Sequence, residues 1–147
     1  MFVFYHLQDF ILLEKLQLLK LIAEKSFIIS ISQLVLSDYS THINRQIEGI
    51  AQKGLVEIRE QDDSVYDFVE SNNEKYPASG RSLLALLHFC KSGNYTLVVD
   101  TEDVIVAQFA SLFSVPICTL LDFYRSTIND EKYIEFIMEL KRESVIK

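Results

Sequence analysis

Apolar and polar positions along the chain alternate between two rhythms. Residues 2–5, FVFY, form a short apolar run suited to a buried strand. Over 10–24 the apolar residues Ile11, Leu12, Leu16, Leu19 and Ile22 recur at helical spacing. Residues 27–29 again favour a strand, being aromatic and β-branched. Ser32 is placed to cap a long helix with a stripe of Val35, Tyr39, Ile43, Ile47 and Ile50, and Gly54 to end it. A third strand is expected at 55–58, LVEI, and a helix at 65–73 after the polar connector REQDDS. Pro77 and Gly80 mark a loop before a helix over 82–91.

The last third is the most informative. Thr96 to Val99 reads as a buried strand, Asp100, Glu102 and Asp103 follow at once, and an apolar helix runs over 104–113. A strand at 115–118 comes next, then a short helix from LLDFYR. Asn129 or Asp130 caps a final helix over 130–145, whose Tyr133, Ile134, Ile137 and Leu140 close the core or bury against a second copy. Strand and helix alternate throughout, except for consecutive helical material over 65–91. That order predicts one α/β domain spanning 1–147: three layers, with a mostly parallel central sheet of about five strands flanked by helices.

Composition narrows the functional classes. The chain has 147 residues, is 49% hydrophobic and carries a formal net charge of −7. Such an acidic balance argues against a broad nucleic-acid-binding surface and leaves room for a local basic groove. Cys90 and Cys118 form no CxxC or Cys/His pattern and read as reduced thiols. The first residues lack a basic segment followed by a small-residue cleavage site, and charges interrupt every apolar stretch short of a membrane span. These features point to a cytoplasmic protein without a membrane partner. His6, His42 and His88 show no metal-ligand spacing, and no GxSxG, GxGxxG or Walker pattern is present.

The segment LVVDTEDVIVAQFASLFSVPICTLL, with ISQLVLSDY upstream, resembles the PIN-domain family, metal-dependent nucleases that often form the toxin half of toxin–antitoxin pairs. The resemblance covers roughly residues 2–124. It implies a carboxylate site holding Mg or Mn, which polarises a phosphodiester and activates a water. Asp38, Glu102 and Asp103 would be the catalytic acids, and Asp38, Asp100, Glu102, Asp103 and Asp9 the metal ligands. The chain departs from the family in two places: Tyr5-His6 stands where the first strand ends in an aspartate, and Arg81 stands where an acid opens a later helix. Arg81 and His6 are therefore expected to fill the cavity or contact an anion, Arg81 by pairing with Asp38 or Glu102. The resemblance then implies a degenerate or lost nuclease site with a binding role, toward RNA, an antitoxin-like protein or a second copy. An active single-stranded ribonuclease is the first alternative. An unrelated α/β interaction domain, whose acids only cap a helix, is the second.

Overall fold

The structure, a computed structural model, describes residues 2–24, 29–36, 40–60, 63–77, 80–100 and 103–146. Five strands alternate with nine helices among these residues. They are β1 (Phe2–Phe4), α1 (Leu7–Lys15), α2 (Leu18–Glu24), β2 (Ile29–Ser32), α3 (Gln33–Leu36), α4 (Thr41–Gln52) and β3 (Glu57–Arg59). The second half holds α5 (Ser64–Lys75), α6 (Arg81–Gly93), β4 (Thr96–Val99), α7 (Val104–Leu112), β5 (Ile117–Thr119), α8 (Leu120–Thr127) and α9 (Glu131–Ile146).

Every strand pairing is parallel, in the order β3-β2-β1-β4-β5. The chain steps outward from β1 through β2 to β3, then returns to the other side of β1 and continues through β4 to β5. The direction of winding therefore reverses between β1 and β4, and a crevice opens there at the carboxyl ends of the strands. Tyr5 N–H donates to the Val98 carbonyl at 3.1 Å, extending the β1–β4 pairing to the edge of that crevice.

One buried cluster joins β1 and β4 to helices on both sides of them in sequence. It includes Val3, Phe4, Leu7, Leu19, Ile47, Leu86, Val98, Phe123 and Ile137. Phe123 stands edge-on to Phe2 and Phe4, with ring centroids 5.2 and 5.0 Å away. A satellite of Val65, Val69, Leu84 and Ala85 fastens α5 to α6. No described helix is long and apolar enough to cross a membrane.

Several sequence expectations shift. The single helix expected over 10–24 breaks at Leu16 and Gln17, and Gln17 adopts a left-handed φ of 59° with no glycine to announce it. The strand expected at 27–29 begins, among the described residues, at Ile29 and runs to Ser32. The long helix expected after Ser32 is not continuous: α3 is described to Leu36, and α4 starts after Ser40, which caps it by accepting from Ile43 N–H at 3.3 Å. Gly54 follows α4 with a φ of 76°, a conformation that glycine adopts without a Cβ penalty. Strands β3 and β5 each lie about two residues later than their apolar runs suggest. Before β5 the offset has a visible cause: Val115 N–H is spent on the Ala110 carbonyl and closes the end of α7. Asp130 caps α9 by accepting from Tyr133 N–H at 3.2 Å. Ile134 and Ile137 of the α9 stripe pack inward in the main core.

Candidate functional site

At the carboxyl ends of β1 and β4 lies a cavity of about 830 Å³. His6 lines it from the β1–α1 connection, Asp9 from the first turn of α1, Asp100 from the end of β4, His42 and Gln46 from α4, and Lys141 from α9. Ile11, Leu12, Ile43 and Leu140 supply apolar wall, and Lys15 and Glu143 stand among the remaining polar groups.

Lys141 is the centre of this arrangement. Its Nζ lies 3.0 Å from Asp9 Oδ1, 3.1 Å from Asp9 Oδ2 and 3.1 Å from Asp100 Oδ2. Its side chain is 15% exposed, against 8% for Asp9 and 22% for Asp100. These are charge-assisted contacts in a half-dry setting, where they are stronger than on an open surface. Burial raises the Asp9 carboxyl above the usual carboxylate range even with Lys141 and His6 pulling it down. Burial alone would lower Lys141, but Asp9 and Asp100 together outweigh it and leave the ammonium above its ordinary value. The Tyr124 hydroxyl is fully buried, has no hydrogen-bond partner among the described residues, and has its pKa raised by burial first and then by the charges of Asp9 and Asp100.

Beside this triad, His6 Nε2 meets Asp103 Oδ2 at 2.8 Å, with the two side chains 37% and 30% exposed. An ionised carboxylate only accepts, so Nε2 carries the proton in this pair. The structure thus brings Asp9, Asp100 and His6 to one cavity and ties Asp103 to its wall. Asp38 and Glu102 lie outside the described residues.

The expectation for Arg81 changes. Arg81 does not line the cavity; it opens α6 and pairs with Glu70 of α5, both half-exposed or more. His6 does line it, paired with an acid rather than free for an anion. Asp103 does not cap α7 through its side chain either. Among the described residues, no group of three or more His, Cys, Asp or Glu side chains converges as a metal site.

Mg or Mn does not fit the described acids of the cavity, Asp9 and Asp100, as they stand. Both ions need carboxylate oxygens at close range, near 2.0–2.1 Å for Mg, and the Asp9 and Asp100 oxygens already share an ammonium. A divalent cation beside Nζ would meet direct repulsion.

Sequence reading missed Lys141, though a signal was there. Ile134, Ile137 and Lys141 are spaced i, i+3, i+7, so the lysine falls on the buried stripe of α9. A lysine on an apolar stripe needs a buried counter-charge.

Comparison with known proteins adds no relative: no family model matches the chain, and no curated protein matches it.

Proposed function

We propose that the chain is a PIN-like domain whose acidic centre is closed by its own Lys141, and that it acts by binding rather than by metal-dependent hydrolysis of RNA. The observation that carries this reading is the ammonium of Lys141 held between Asp9 and Asp100. The parallel sheet supports the PIN-like part, with its reversal between β1 and β4 and its acids at that crevice.

The cavity's chemistry favours a protein segment over RNA as the ligand. Two lysines face three carboxylates there, on a chain whose net charge is −7. A polyanion gains little from such a lining. Four aliphatic side chains beside hydrogen-bonding His42 and Gln46 suit an apolar side chain on a polar backbone.

The test is calorimetric titration of the full chain with Mn²⁺ at neutral pH, with single-stranded RNA cleavage in Mn²⁺ alongside. No stoichiometric heat and no cleavage are expected. Stoichiometric binding that Asp100→Asn abolishes, together with cleavage, would restore the ribonuclease reading.

A further inference from the structure

We draw no further inference here: the strongest candidate, the groove between α1 and α4 lined by Lys15, Arg45, Gly49 and Ile50, opens through Ile11, Lys15 and Gln46 into the cavity already described, and nothing in the structure shows what covers it.

Discussion

Replacing Lys141 by methionine keeps most of the side-chain stem and removes the charge, which isolates the role of the ammonium. In the wild type, Nζ sits 3.0 Å from Asp9 and 3.1 Å from Asp100, and the Asp9 side chain is only 8% exposed. Removing one partner of a buried pair costs about 3–5 kcal/mol, because it strands the opposite charge. Asp100 keeps some contact with water at 22% exposure, so the lower end applies, about 3 kcal/mol at pH 7. The loss depends on pH in a defined direction. Asp9 holds its proton to higher pH in the folded chain than its ordinary value of 3.8, so its ionisation lowers stability as pH climbs from about 4. Without Lys141 that folded value moves further up, and the penalty grows. Near pH 4 a larger share of the variant's Asp9 is protonated, so the gap between variant and wild type narrows. Lys141 is raised above 10.5, so its contribution persists through neutral pH and disappears as pH rises through its folded value. Urea denaturation of both proteins at pH 4 and pH 7 measures the gap. A loss under about 0.5 kcal/mol at pH 7, or an equal loss at both values, would refute the assignment of Lys141 as counter-ion.

Two further substitutions probe the packing around the site and the sheet. Tyr124→Phe removes a buried hydroxyl that has no hydrogen-bond partner among the described residues, so thermal stability should hold or rise, by up to about 1.5 kcal/mol, and a clear loss would mean the hydroxyl is satisfied. Gly93→Ala places a methyl group against the Tyr95 ring, which itself packs on Phe89 and under the Arg59 guanidinium. Moving that ring should cost about 1–3 kcal/mol in urea denaturation, and a neutral result would show that the ring relocates freely.

The sequence made the β4–α7–β5 unit legible because each element there has one dominant signal. Leu97, Val98 and Val99 form an unbroken apolar strand, and Val106 and Ala110 recur at helical spacing. Asn94 ends α6 in the left-handed conformation that asparagine tolerates. The break at Gln17 was not legible, since a left-handed glutamine has no compositional marker. Asp9 and Asp100 could be picked out as acids near strand ends. Their partner could not be found by looking for more acids, because the counter-charge is a lysine 132 residues away from Asp9. Arg81 was assigned by a gap in a family pattern, but its nearer carboxylate, Glu70 on the adjacent helix, claims it.

That long separation has a consequence for how the protein is made. During synthesis from the N-terminus, Asp9 is in place early and Asp100 later, while Lys141 emerges only with the last helix. Until then the nascent chain holds two carboxylates at the crevice without their cation. Closing a loop of this length costs about 4 kcal/mol in chain entropy, most of it already spent by the sheet pairings that precede α9. Docking of α9 therefore serves as a completion step. A chain that stops before residue 141 holds the Asp9 and Asp100 carboxylates without their ammonium.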